Sequence, residues 1–134
     1  MDWRVAALLT VFFWGAQAVV LKAVLGKVSW TEVLYVLWVA AVVSGAVLLL
    51  IFGAPHVDLR YVPWILLFGV LGALGYVSFT YALERGPAVT VVPLTSLNVA
   101  FAVFLSVVLL NEEITLTRTV GLLLAIAAAV LLSL

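Results

Sequence analysis

VLYVLWVAAVVSGAVLLLIFGAPHV, residues 33–57, runs for 25 positions without a charged side chain. A helix rising about 1.5 Å per residue needs about 20 apolar residues to cross a hydrocarbon core of about 30 Å. The stretch is long enough to do so. It lacks the polar–apolar alternation of an outer-membrane strand. In lipid, only a helix or a closed barrel satisfies every backbone N–H and C=O. The stretch therefore predicts a transmembrane helix.

Working outward, the charged residues divide the remainder into uncharged runs at 5–21, 61–83, 86–111 and 119–134. The first is short, but Lys22 near its end can extend its ammonium to the interface and leave its aliphatic stem in lipid. The last reaches the required length if its helix begins near Leu116. The expectation is an all-α integral membrane protein, one domain over 1–134, with five transmembrane helices near 4–25, 30–53, 61–84, 87–111 and 116–134. Punctuation agrees with this division. Gly53 and Pro55 interrupt the chain after the second span, and Pro63 falls in the first turn of the third, where its missing N–H does no harm. Gly86 and Pro87 separate the third span from the fourth, and Thr115 or Thr117 can cap the fifth. Trp3, Trp30, Tyr61 and Trp64 sit at span ends, where amphipathic rings suit the headgroup layer. The first apolar segment is too long for the core of a cleaved secretory signal.

Composition excludes several functions. Of the 134 residues, 68% are hydrophobic and 9% charged, with a mean hydropathy of +1.41. A soluble domain carries roughly a quarter charged residues, so the natural surroundings of this chain are a lipid bilayer. Six basic and six acidic residues cancel, which leaves no electrostatic footprint for nucleic acid. Without cysteine there is no thiolate chemistry or Cys-based metal site. One histidine and scattered carboxylates assemble no nucleophile–base pair or metal cluster, so neither an enzyme nor a cofactor is expected.

Five spans place the termini on opposite sides. Arg4, Arg60 and Arg118 fall on one side and Lys22, Lys27 and Arg85 on the other. Orientation in the membrane follows Lys/Arg asymmetry, and here there is none. Two readings follow: insertion in both orientations with head-to-tail pairing, or an orientation fixed by a partner or by the first helix alone.

Phe13-Trp14-Gly15 in the first span, Tyr81-Ala82-Leu83 ending the third, Gly86-Pro87-Ala88 with Val92-Pro93-Leu94 opening the fourth, and Asn111-Glu112-Glu113-Ile114-Thr115 before a small-residue last span resemble the EamA-type drug/metabolite transporter superfamily. The order and spacing carry the resemblance nearly end to end. Most members of that superfamily fuse two such five-helix units with opposite topology, so the resemblance implies one unit of an inverted-repeat transporter. It implies an antiparallel homodimer in the plasma or inner membrane, with a small-molecule substrate near the midplane. Oppositely oriented repeats build outward-open and inward-open states by exchanging conformations. In the family, the first, third and fourth helices line the cavity.

Several residues here suit that lining. Trp14 and Gln17 share a stripe of the first span with Thr10 and Leu21 and lie mid-span. A polar group facing lipid there would be unpaired, so they face protein or water, either along a substrate path or as helix–helix contacts. Tyr76 and Thr80 share a face of the third span with Gly72. Thr95 and Asn98 stand at i, i+3 on the fourth, beside Ser96. Pro93 removes one backbone bond near Val89 and marks a hinge candidate or an ordinary kink. Gly121, Ala125 and Ala129 repeat every four residues on the last span, a surface for close helix approach. Because the family's last helices tend to pair, this seam is the candidate dimer contact. Gly69, Gly72 and Gly75 form a second such face. Lys22 either snorkels or marks an entrance for an anionic group.

No carboxylate falls mid-span, where proton-coupled pumps keep one. The small multidrug-resistance branch of the superfamily depends on a first-helix glutamate, and this first span has none. Proton-driven cation export by that scheme is not supported. The leading expectation is a secondary transporter of small organic metabolites or amphiphilic compounds. The alternative is a non-transporting membrane subunit or scaffold that pairs with another membrane protein.

Overall fold

The computed structural model describes residues 2–134. Its helices are α1 (Trp3–Leu25), α2 (Trp30–Phe52), α3 (Val62–Arg85), α4 (Ala88–Thr95), α5 (Asn98–Leu110) and α6 (Leu116–Ser133), with no strand among the described residues. Counting Ala88–Leu110 as one crossing, five segments are long and apolar enough to span a membrane. By contacts the chain divides into two compact units, Met1–Arg85 and Gly86–Leu134.

In the first unit, α3 packs against both α1 and α2. Local chemistry sets the helix ends. The Asp2 carboxylate accepts the Arg4 N–H at 3.0 Å and caps α1. Ser29 and Glu32 form a capping box at the start of α2, each side chain accepting the other's backbone N–H. This satisfies two donors that helix geometry leaves without partners. Gly53, at φ +75°, ends α2 in a left-handed conformation that favours glycine.

In the second unit, α4 packs against α6. Thr115 caps α6 by accepting the Arg118 N–H. At the other end of α5, Asn111 adopts a left-handed conformation at φ 54°, and Ser106 donates its hydroxyl to the Glu112 carboxylate.

The fourth crossing, Ala88–Leu110, is interrupted at Ser96 and Leu97, just past Pro93 where a kink is expected. Pro93 supplies no N–H to the carbonyl one turn back, and its ring crowds that turn. Past it the bonding tightens to i→i−3. The Ser96 N–H reaches both the Val92 and Pro93 carbonyls, and the Leu97 N–H reaches Leu94 at 3.3 Å. The Val99 and Ala100 N–H groups then bond to Ser96 and Leu97, at 3.1 and 3.0 Å. This is a short 3₁₀-type connection between two α-helices.

Few side chains are buried within one chain. They are Ala18, Leu21, Leu25, Leu34, Leu83, Val91 and Ala129, with Thr80 the buried polar residue among those described. A soluble protein could not leave the remaining Leu, Val and Phe in water, whereas lipid or a neighbouring membrane helix covers them without cost.

Candidate functional site

The first unit has a polar layer near the middle of α1 and α3. Gln17 donates from Nε2 to the Tyr76 hydroxyl at 2.9 Å, which joins α1 to α3. The Tyr76 ring meets Phe79 edge-on, centroids 6.4 Å apart, and its backbone carbonyl accepts the Thr80 hydroxyl at 2.8 Å. Trp14, one turn before Gln17, is 69% exposed. Gln17 is exposed as well, and Tyr76 is half-buried. Thr80 is 0% exposed, and with its hydroxyl bonded to its own helix it belongs to the packing and not to an open lining. The structure therefore brings Gln17 and Tyr76 together, places Trp14 beside them on the α1 stripe, and withdraws Thr80 into the interior.

Lys22 lies five residues further along α1. Its ammonium donates to the Leu83 carbonyl at 2.7 Å, so one of the last carbonyls of α3 receives a cation. A positive charge there also opposes the negative end of the helix dipole. The bonded pairs are 59 and 61 residues apart, so α1 and α3 run in the same direction in matching register. Beside snorkelling or marking an entrance, the bond to Leu83 makes Lys22 a cap on α3.

A lock that sequence reasoning missed surrounds this end. The Glu84 carboxylate accepts the Trp30 backbone N–H at 2.9 Å, tying the start of α2 to the end of α3. Arg85 pairs with Glu84 at 3.0 Å and sits 3.7 Å from the centroid of the Tyr81 ring. Tyr81 in turn meets Trp30 edge-on, centroids 5.5 Å apart. In the sequence Trp30 reads as a span-end aromatic, Tyr81 as part of the family motif, and Glu84 and Arg85 as the charged break after the third span. Tyr81, Glu84 and Arg85 are neighbours by helix spacing on α3, and the return of the chain through α2 brings Trp30 to them.

In the second unit, Thr95 and Asn98 stand on either side of the helix break. Thr95 is the last residue of α4 and Asn98 the first of α5. The Thr95 hydroxyl donates to the Val92 carbonyl at 3.0 Å and the Ser96 hydroxyl to the Pro93 carbonyl at 2.6 Å. Both hydroxyls satisfy backbone oxygens around the break. Asn98 is exposed. Beside the break lies an apolar hollow of about 200 Å³, lined by Ser96, Leu97, Val99, Ala100, Leu122, Ala125 and Ile126. On α6, Gly121 and Ala125 are exposed, while Ala129 is buried within the chain. Only part of that seam is open to a neighbour. A Cβ placed on Gly69, Gly72, Gly75 or Gly121 would meet no described heavy atom within 4 Å.

Comparison with known proteins agrees with this architecture. A curated protein of Methanocaldococcus jannaschii, itself described as uncharacterised, is 33% identical over 101 residues, which cover 72% of this chain and 74% of the relative. No solved structure matches. The model of the EamA-like transporter family matches residues 2–134, the described length of the chain, and with its five apolar spans this chain is a multi-pass membrane protein that belongs to the EamA-like transporter family.

Proposed function

We propose that the chain is a secondary transporter of small organic metabolites or amphiphilic compounds. It works by alternating access as an antiparallel homodimer in the cell membrane. One observation carries the pairing: five crossings divide the basic residues into Arg4, Arg60 and Arg118 against Lys22, Lys27 and Arg85. With no Lys/Arg bias to fix orientation, the same chain inserts both ways and meets its inverted copy. Two such copies reproduce the inverted repeat that fused carriers hold in one chain.

The mid-span chemistry supports a transport role. Trp14, Gln17, Tyr76 and Asn98 present polar groups away from the headgroup layers, where facing lipid is costly. In this reading they border the substrate path, with Thr95 and Pro93 at the break that lets the fourth crossing flex. The open glycines of α3 and the exposed Gly121 and Ala125 of α6 give an inverted copy surfaces for close approach.

Leu59 is exposed in the loop between α2 and α3, and the chain has no native cysteine. Leu59→Cys labelled by an impermeant maleimide should react at similar levels from each side of the membrane. Labelling from one side alone overturns the self-paired dimer. Flux of organic solutes into proteoliposomes, measured against protein-free vesicles, tests transport itself.

A further inference from the structure

The hydrogen-bonding capacity of the mid-span layer in the first unit is only partly used. A glutamine amide has two donors and an acceptor oxygen, and a tyrosine hydroxyl is both donor and acceptor. The Gln17–Tyr76 bond uses one donor and one acceptor. Either orientation of the amide leaves at least one further donor and one further acceptor at the same place. Trp14 adds a broad exposed ring beside them. Gln17 is the fifteenth residue of α1, and Tyr76 the fifteenth of α3. Both therefore lie near mid-membrane, where no bulk water satisfies the remaining groups.

The charges set what can bind there. Along α1 the nearest carboxylate is Asp2, beyond the helix start. Along α3 it is Glu84, eight residues past Tyr76 and about 12 Å along the axis, where it bonds Trp30 and Arg85. The ammonium of Lys22 is directed to the Leu83 carbonyl. A bound cation would meet no opposite charge in this layer, and an anion would find only the Lys22 ammonium, about 7.5 Å further along α1 and already engaged at Leu83. An unpaired ion in a low-dielectric site is strongly disfavoured.

We propose, resting on the transport reading above, that Trp14, Gln17 and Tyr76 bind uncharged molecules with a flat apolar body and an amide-type edge, a donor beside an acceptor. Carboxamides, lactams and ureides are of this class. The edge pairs with the unused groups of Gln17 and Tyr76, and the body packs against the indole of Trp14. Discrimination is chemical. A ketone of the same shape leaves donor and acceptor groups unmatched, and a site built to hydrogen-bond rejects analogues lacking the partner more strongly than a purely apolar one.

The test uses the full chain in nanodiscs, with benzamide, acetophenone, benzoate and benzyltrimethylammonium as probes in equilibrium dialysis. Benzamide should bind at least about tenfold more tightly than each of the others, the loss expected when a buried polar group is left unpaired. Gln17→Leu should weaken benzamide about tenfold and bring it level with acetophenone. Gln17→Glu, which keeps a polar side chain, should shift preference to benzyltrimethylammonium. Helical circular dichroism identifies any variant that fails to fold. Absence of benzamide binding, tighter binding of either ion, or intact discrimination in folded Gln17→Leu overturns the proposal. Binding with the expected discrimination but no benzamide counterflow in proteoliposomes defeats the transport reading and leaves the site. Flux of an ionic solute with benzamide excluded does the reverse.

Discussion

The two units differ in how far their polar side chains reach. In the first, side chains join helices distant in sequence: Gln17 to Tyr76, Lys22 to Leu83, and Glu84 to Trp30. Hydroxyls in both units return to carbonyls three or four residues back, Thr10, Ser44, Ser78 and Thr80 in the first and Thr95, Ser96, Thr119 and Ser133 in the second; the cross-helix bonds are what the first unit adds. A cross-helix bond fixes register and resists sliding, whereas a local bond tolerates or even promotes a bend. The first unit is therefore built as a pinned frame, and the second around a break that its own hydroxyls keep satisfied. Under the transport proposal above, rigidity would fall to the first unit and adjustment to the break in the second.

The strongest way to break that contrast is to remove the pin at Lys22. Lys22→Met keeps much of the apolar stem but leaves the Leu83 carbonyl, on a residue buried to 0% exposure, without its charged donor. A loss of about 2 kcal/mol is expected, the range for hydrogen bonds to charged groups. Reversible unfolding in mixed micelles measures it. Lys22→Arg, which restores a donor and a charge, should recover a large part. Equal stability of the three proteins would show that the α1–α3 pin does not hold the frame.

The next largest effect lies in the second unit. Pro93→Ala supplies an N–H to the Val89 carbonyl and removes the ring that crowds that turn, a gain of about 1 kcal/mol for the added bond. Hydrogen exchange should slow at the amides of Leu94, Ser96 and Leu97 as the two helices draw toward one. If the break serves the transport cycle, turnover falls while equilibrium binding is retained. Faster exchange at those amides would show that Thr95 and Ser96, not Pro93, set the break.

What the sequence reveals of this contrast depends on distance along the chain. The five spans are legible because charged residues mark where each leaves the hydrocarbon, and the family is legible because its motifs recur in order over the whole chain. Pro93 signals a disturbance, but whether a span kinks or parts into two helices depends on how the backbone bonds re-form past it. That outcome is decided by bond geometry that spacing does not encode. The cross-helix bonds are the least legible. Gln17 stands out as a mid-span amide and Tyr76 as a deep phenol, yet nothing in a stripe of one helix names its partner 59 residues away. Thr80 shows the same limit from the other side. It shares a face with Tyr76 by periodicity, but that face continues into the buried interior.

A smaller effect sharpens the first unit. Gln17→Leu and Tyr76→Phe, singly and together, form a double-mutant cycle for the mid-span bond. The expected coupling is about 0.6 kcal/mol, typical of such bonds between membrane helices, because the unfolded-in-membrane state also finds partners. Zero coupling would remove Gln17 and Tyr76 from the pinned frame and leave the Lys22 end to hold α1 and α3 alone.

The smallest effect belongs to the loop between α2 and α3, and it tests whether a local ion pair contributes at all. Arg60 donates from its side chain to both Asp58 carboxylate oxygens, at 2.9 to 3.2 Å, and from its backbone N–H at 3.0 Å. The guanidinium first, and the backbone bond second, hold the Asp58 carboxyl below its ordinary range. A lowered folded-state pKa adds stability above the unfolded carboxylate value, and that stability is lost as pH falls through the lowered one. The pair is exposed, with the Arg60 side chain at 86%, and exposed pairs are screened by water and salt. Asp58→Asn should therefore leave unfolding at neutral pH nearly unchanged and only slightly flatten the acid-side decline. A large neutral-pH loss would mean that this loop is covered in the assembled protein, which places a partner at the end of the first unit opposite the Lys22 pin.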